Sequence, residues 1–352
     1  MKRIPVGVLA ATGSVGQRFI QLLEGHPWFE VVAVTGSDRG TGKPYGEVCR
    51  WLLPGDMPER VRNLPVLPTS PEAVQVPLVF SALPAEIAQD AEPAFARAGI
   101  AVCSNASAYR KDPDVPILLP EVNPDHAHLI PVQQSRHQWT GWIATNPNCT
   151  STGMTVALKA LQDRFGLKRV FAVSMQALSG AGYPGVPAMD IIDNIIPFIS
   201  GEEDKVEWEP RKMLGTLGTG GIQLADFGIS AHTNRVNVSD GHTVCLTIEL
   251  EMRASAEEVK RTLREYQAPE IACNLPSTPL PPILVREEEN RPQPRLDRMT
   301  GNGMTTVVGR VRADSLFDIR LVVLSHNTIR GAAGGSIYNA ELLYRMGYIP
   351  KP

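Results

Sequence analysis

An α/β fold is predicted for this chain of 352 residues: a parallel sheet covered by helices on both faces, then an α+β unit with an open mixed sheet. Apolar runs at residues 4–10, 30–35, 76–82 and 100–103 are nearly continuous, as in strands buried on both faces. Helix-compatible stretches at 17–24 and 86–97 fall between them, the alternation of a β-α-β array. Later strand candidates at 170–177, 235–238, 243–250, 305–311 and 318–325 suit antiparallel neighbours completing a mixed sheet.

Composition narrows the function classes. Lys plus Arg total 34 against 37 for Asp plus Glu, a net charge of −3, which argues against a nucleic-acid binder. Gly and Pro, 30 of each, are scattered among apolar runs and therefore mark turns rather than disorder. Cys49, Cys103, Cys149, Cys245 and Cys273 are widely spaced and form no CxxC pair, so no metal is expected and any special cysteine is catalytic. Free thiols also suit a reducing cytoplasm. No apolar run approaches the roughly 18 residues of a membrane span, and the opening MKRIPVGVLAATG reads as a strand entering a turn, not a signal peptide.

The first strand runs into Thr12, Gly13, Ser14, Val15 and Gly16, and Phe19, Leu22 and Leu23 of the following helix can face the sheet. Small residues before a helix N-terminus let a pyrophosphate reach backbone amides; tight strand-to-helix packing is the alternative, since Gly7, Gly13 and Gly16 depart from GxGxxG. After the second strand, Ser37 and Arg39 can hydrogen-bond and neutralise a 2′-phosphate, favouring NADP(H), with Asp38 as the contrary sign and Lys43 more simply solvated. Ser81 to Pro84 sit at a strand end where a loop can cover a cofactor, and together these features describe a Rossmann-like domain. Pro93 is expected to kink or divide the 86–97 helix. Prolines 113, 116, 120, 124 and 131 predict short strands and loops. His126 and His128 can share a strand face, but without a third ligand local hydrogen bonding is the better reading.

The richest local pattern is Thr145 to Thr152. A strand at 142–145 ends, Pro147 fixes a turn, and a helix is expected from Thr152, leaving Cys149 near its N-terminus. Amides and dipole there lower a thiol pKa and can stabilise an oxyanion, although a cysteine so placed is as often buried structure. Beyond it, the loop Ser179-Gly180-Ala181-Gly182 either approaches a ligand closely or is a compact turn. Residues 190–196 are expected as a short helix with Ile191, Ile192 and Ile195 on an apolar side, and 215–221 as a flexible loop. Glu202 and Lys205 share a face of the next helix, by default as a surface ion pair. A hairpin of 235–238 and 243–250, turning at Asp240-Gly241, would carry Arg235 and His242 toward one pocket. Arg235 offers a planar fork for a carboxylate and His242 a proton near neutrality; surface hydrogen bonding is the alternative for each. Residues 276–282 read as an extended connection, 287–289 as a solvated acidic face, and Gly334-Gly335 as the approach to a last helix at 336–344.

Four segments in order, NPNCTSTG around Cys149, QALSGAGYPG at 176–185, RVNVSDGHT at 235–243 and NTIRGAAGG at 327–335, together with the glycine turn, resemble the aspartate-β-semialdehyde dehydrogenase family, especially its archaeal and fungal branch. The resemblance covers essentially the whole chain. It implies an NADP-binding domain of residues 1–149 with 330–352 and a catalytic, oligomerising domain of 150–329, in a cytoplasmic homodimer or homotetramer. It implies reversible reduction of L-4-aspartyl phosphate to L-aspartate 4-semialdehyde plus phosphate, in the biosynthesis of lysine, threonine and methionine. Cys149 would be the nucleophile and His242 its acid/base partner, protonating the departing thiolate. Arg235 would hold the α-carboxylate and Glu202 the ammonium; Lys205 and Arg110 would hold the phosphate, with Asn148 beside the substrate. Ser179, Gly180, Asn327 and Gly331 would complete the NADP(H) site. Reduction of an acyl-CoA such as malonyl-CoA is the enzyme alternative, weakened by Glu202; an inactive nucleotide-binding protein is the other, weakened by Cys149 and His242.

Overall fold

The structure, a computed structural model, describes residues 2–351. Its first sheet is built from β1 (Ile4–Leu9), β2 (Phe29–Thr35), β3 (Val66–Leu67), β4 (Leu78–Ser81), β5 (Ala101–Ser104) and β6 (Trp142–Thr145), all parallel in the order β3-β2-β1-β4-β5-β6. Parallel pairing aligns the carboxyl ends: Leu9, Ser81, Ser104 and Thr145 stand in register along one edge. The order reverses direction between β1 and β4, where a crevice opens.

The second sheet holds β7 (Leu167–Gln176), β10 (Gly228–Arg235), β11 (His242–Leu250), β12 (Ile283–Val285), β13 (Thr306–Ala313) and β14 (Ile319–Ser325), ordered β10-β7-β11-β14-β13-β12. It is mixed: β10 and β12 join their neighbours in parallel and the other pairs are antiparallel. The α/β fold with a parallel sheet followed by a mixed one is therefore as predicted. The expected 235/243 hairpin is not, because β7 lies between β10 and β11. Arg235 ends β10 opposite Gln176, and His242 begins β11 one residue before the Thr243–Met175 pair. Both side chains reach the same sheet edge, by a route other than a turn.

Several local expectations shift for identifiable reasons. The first helix spans Ser14–Leu23 and the one after β6 spans Cys149–Phe165, each starting three residues early because the turn residues themselves take helical geometry. Ala85–Arg97 stays one helix across Pro93; the Gln89 carbonyl that the proline leaves without an amide accepts the Tyr109 hydroxyl. Leu129–His137 is helical despite Pro131, which falls in the first turn, where an amide has no helical partner anyway. His126 and His128 lie in a 3-10 turn, not a strand: His126 is buried between Asn123 and the Gly215 carbonyl, and His128 meets Tyr348. Among the described residues no metal-ligating cluster occurs and no helix is long and apolar enough to cross a membrane.

Two further expectations fail outright. Only Ala188–Ile191 is helical in the 190–196 region; Ile191 is buried but Ile192 and Ile195 are exposed, as are Met189 and Phe198. Residues 215–221 are not free loop, since β8 (Thr216–Gly218) pairs with β9 (Gly221–Gln223).

The chain returns at its end to the first sheet. A π-helical turn, Ile329–Ala333, leads into Gly334–Arg345, which lies against β5 and whose Ile337, Ala340 and Leu343 pack into the core of the first sheet. A buried Ile or Leu contributes roughly 1.5–3 kcal/mol, so this helix fixes the segment from Asn327 to Gly331 firmly against the strand ends.

Candidate active site

A cleft of about 890 Å³ separates the two sheets' site-bearing edges, with the glycine turn at one end and Cys149, Arg235 and Glu202 at the other. Cys149 is the first residue of its helix, and Asn148 caps it: Oδ1 accepts the amides of Thr150 and Ser151 at 2.9 and 3.2 Å. Asn148 is held in turn, its Nδ2 donating to Glu202 at 2.7 Å and its backbone amide to Glu209 at 2.5 Å.

The thiol meets His242 at 3.2 Å, Sγ to Nε2. Burial, reinforced by the Glu202 carboxylate, pushes the Cys149 thiol up to about 12, while Arg110, Arg235 and the Thr150 amide pull it back. Burial, with the Arg235 guanidinium and then His326 acting in the same direction, pulls His242 down to about 3. The loop above must be glycine at 180, where a Cβ would stand 2.7 Å from the Arg235 guanidinium and 3.0 Å from the His242 ring. Gly331 approaches from the other side; a Cβ there would lie 2.8 Å from that of Cys149.

One helix, Glu202–Met213, supplies four charged groups at spacings of three, four and three. Glu202 is buried and sits 3.6 Å from half-exposed Lys205. Glu209 pairs with Arg110 at 2.9 Å, both buried, so Arg110 is not an exposed arginine. Lys212, pulled down to about 8 by burial, donates to the carbonyls of Arg110, Asp112 and Val115 at 2.7, 2.8 and 2.8 Å. Sequence reasoning found Glu202 and Lys205 but missed Glu209 and Lys212, whose signal was the continued periodicity. It also assigned nothing to Gln176, which donates to Glu202 at 3.2 Å, or to Asn105, which lines the cleft.

At the other end, Thr12, Gly13, Ser14, Val15 and Gly16 all line the cleft. Gly13 is the N-cap and makes no side-chain cap bond, leaving the first amides of a ten-residue helix open. A Cβ on Gly16 would sit 2.4 Å from the Ala10 carbonyl, so the turn closes this tightly only with glycine. A narrow cradle of small residues at a helix N-terminus fits the pyrophosphate of a dinucleotide. Ser179, Gly180, Asn327 and Gly331 also line the cleft, and Asn327 is oriented by donating to Ser179 and accepting from the Gly241 amide, both at 2.8 Å. Ser81 is buried at the end of β4, beneath the lining formed by Ala82, Leu83 and Pro84. Ser37 and Arg39 are exposed outside this lining, near the turn because Gly36 abuts Thr12.

The chain matches two family models, the NAD binding domain of semialdehyde dehydrogenase over residues 5–130 and its dimerisation domain over residues 158–330. It is similar to curated aspartate-semialdehyde dehydrogenases from Archaeoglobus fulgidus (50% identity, covering 97% of this chain and 98% of the relative) and Schizosaccharomyces pombe (44%, 97% and 98%). Among solved structures, the Candida albicans aspartate semialdehyde dehydrogenase with NADP superposes with a TM-score of 0.90 at 42% identity, over 99% of this chain and all of that one. With archaeal and fungal relatives alike matched over almost their full length, this chain belongs to the aspartate-semialdehyde dehydrogenase family.

Proposed function

We propose that this protein catalyses the reversible, NADPH-dependent reductive dephosphorylation of L-4-aspartyl phosphate to L-aspartate 4-semialdehyde, a step of amino-acid biosynthesis toward lysine, threonine and methionine. The observation that carries this reading is a helix-start cysteine 3.2 Å from a histidine, in one cleft with a carboxylate, two arginines and an open glycine turn.

Arg235, buried at the end of β10, binds the α-carboxylate through its planar fork, and Glu202 pairs with the α-ammonium. Arg110 and Lys205 receive the phosphoryl group, with Arg110 held in place by Glu209. Cys149 attacks the acyl carbonyl, phosphate leaves, and a thioester remains on sulfur. A bound nicotinamide supplies the hydride that no side chain can provide. Thr12, Gly13, Ser14, Val15 and Gly16 hold its pyrophosphate, and Gly180 and Gly331 keep backbone rather than side chain beside the sulfur. Substrate ammonium against Glu202 offsets the carboxylate that raises the thiol, so substrate binding itself favours the thiolate.

Ser37 and Arg39, beside the turn, support NADP(H) over NAD(H), and Ser81 supports the cleft floor. The two sheets and the returning helix support residues 1–149 with 330–352 as the NADP-binding domain and 150–329 as the catalytic one. Exposed Met189, Ile192, Ile195 and Phe198 support assembly as a homodimer or homotetramer, and five free cysteines suit a cytoplasmic setting. The test is a spectrophotometric assay with semialdehyde plus phosphate and with aspartyl phosphate, against malonyl-CoA, using each nicotinamide. Turnover with malonyl-CoA alone, or with none, overturns the reading.

A further inference from the structure

We infer that Lys212 is a positioning residue of the phosphate site: its ammonium ties the main chain of residues 110–115 to the helix Glu202–Met213, and phosphate binding weakens when that ammonium loses its proton. This rests on the function proposed above, in which Arg110 receives the phosphoryl group, and adds to it a residue that touches neither substrate nor cofactor.

Between Ser104, the last residue of β5, and Pro116 the chain has neither helix nor strand, yet Asn105, Ser107 and Arg110 from this stretch all line the cleft. Its own main-chain bonds around Arg110 are long: the amides of Arg110, Asp112 and Val115 donate to Ser107, Tyr109 and Asp112 at 3.3, 3.2 and 3.4 Å. The short ties come from outside. Buried Lys212 donates through Nζ to the carbonyls of Arg110, Asp112 and Val115 at 2.7, 2.8 and 2.8 Å. Bonds from an ionised donor are shorter and stronger than neutral ones. One turn earlier on the same helix, Glu209 accepts from the Arg110 guanidinium at 2.9 Å, whose other terminal nitrogen donates to the Asn105 carbonyl at 3.0 Å. The helix thus grips Arg110 twice, by its guanidinium through Glu209 and by its main chain through Lys212. Lys205 stands on that helix too, so both grips set where Arg110 lies relative to the second cation of the phosphate site.

The charge is part of the tie. An ammonium has three hydrogens, one for each carbonyl, whereas the neutral amine has two and a lone pair. Loss of the proton therefore sets one carbonyl against a lone pair, a tie lengthens or breaks, and Arg110 loses its fixed aim. Burial pulls Lys212 down to about 8, while the carboxylates of Asp112, Glu209 and Asp114 hold it up. Glu209 faces it from its own helix, and Asp112 and Asp114 from the tied segment, where Asp114 also pairs with Arg136 and His137. Lys111 lies over the Trp208 ring at 6.0 Å and Lys212 over the same ring at 5.6 Å. His126, in the 3-10 turn, is held below the ordinary histidine range chiefly by burial, so it is neutral where Lys212 titrates. Phosphate affinity is therefore full while the lysine is protonated and falls as pH rises through about 8.

The test compares wild type with K212M, which keeps the apolar stem and has no donor. The Kd of inorganic phosphate is read from the broadening of its ³¹P resonance in the NADP-bound enzyme, and that of NADPH by fluorescence titration. At about pH 7, K212M should bind phosphate about tenfold more weakly than wild type, with the NADPH Kd within about twofold. At about pH 9.5 the phosphate gap should shrink by about threefold or more, because wild type has then lost its ammonium as well. Taking the ratio of the two proteins cancels the ionisation of phosphate itself. A lysine that only stabilised the fold would weaken both ligands together, with a gap indifferent to pH. A phosphate gap within about threefold at about pH 7, a gap that does not narrow with pH, or NADPH weakened as much as phosphate overturns the proposal. If K212M does not fold, K212Q takes its place. If neither folds, wild type decides alone: its phosphate affinity falls by about threefold or more between about pH 8 and about pH 9.5, or the proposal is overturned. Wild-type enzyme that fails to turn over the semialdehyde with phosphate would overturn the proposed function instead, so the two failures are distinguishable.

Discussion

Two helices leave the carboxyl ends of parallel strands in the same sheet, and they finish their N-termini in opposite ways. After β1, Gly13 caps Ser14–Leu23 with no side chain, so the amides stay available to an outside anion. After β6, Asn148 caps Cys149–Phe165 and consumes the amides of Thr150 and Ser151, while Glu202 and Glu209 engage Asn148 itself. The same strand-turn-helix unit thus becomes an open cradle in one place and a rigid mount for a cysteine in the other. The cap residue decides which.

The comparison breaks most completely at the sulfur. C149S should lower turnover by about 10⁴-fold or more, because serine lacks both the thiolate and a matched base, while NADPH binding at the glycine turn, measured by fluorescence titration, stays near wild type. A C149S enzyme with ordinary turnover would remove the mount's purpose.

Next is E209Q. The Glu209 carboxylate accepts from Arg110 with one oxygen and from the Asn148 amide with the other. Glutamine has one acceptor and one donor, so one contact must become N–H against N–H. Disrupting a buried pair costs roughly 3–5 kcal/mol, and kcat/KM should fall about 10²- to 10³-fold. In the oxidative direction the phosphate KM should rise with the nucleotide KM unchanged. An equal rise in both would mean that the two turns are not separable.

Much of this contrast was legible in the sequence, and the remainder was hidden for physical reasons. Strand ends beside small residues announced both turns, because apolar runs stop where the backbone must turn. The β10 strand escaped notice: GISAHTNR at its edge of the sheet alternates exposed and buried positions and contains no apolar run. Arg235 therefore looked like the start of a strand when it is the end of one. Glu209 was unreadable for another reason, as its partner Arg110 lies 99 positions away and only folding brings the charges together. His242 could be named, but the main-chain amide at position 177 that meets its Nδ1 is reported by no side-chain pattern.

G16A sharpens the open side. The added Cβ would meet the Ala10 carbonyl and backbone atoms of Ala11 at under 3 Å, so the turn must widen. Such overpacking costs about 1–3 kcal/mol, and we expect it as a roughly tenfold or greater loss of NADPH affinity with a lowered Tm. Cys149 alkylation by iodoacetamide in the absence of cofactor should keep its wild-type rate. A changed alkylation rate would show the cradle and the mount to be coupled.

The smallest effect belongs to the exposed rim of the cradle. Arg39 follows β2 in the Asp38–Gly40 turn, exposed, and no partner holds it in place among the described residues. A guanidinium so placed would attract a 2′-phosphate through solvent and gain less than a buried pair. R39A should therefore raise the NADPH KM by about tenfold at low salt, with the gap narrowing as salt is added, and leave the NADH KM and kcat unchanged. Equal effects on both nucleotides would place Arg39 outside the 2′-phosphate site. With Asp38 adjacent, the double variant D38S/R39A would then separate a repelling carboxylate from an attracting guanidinium.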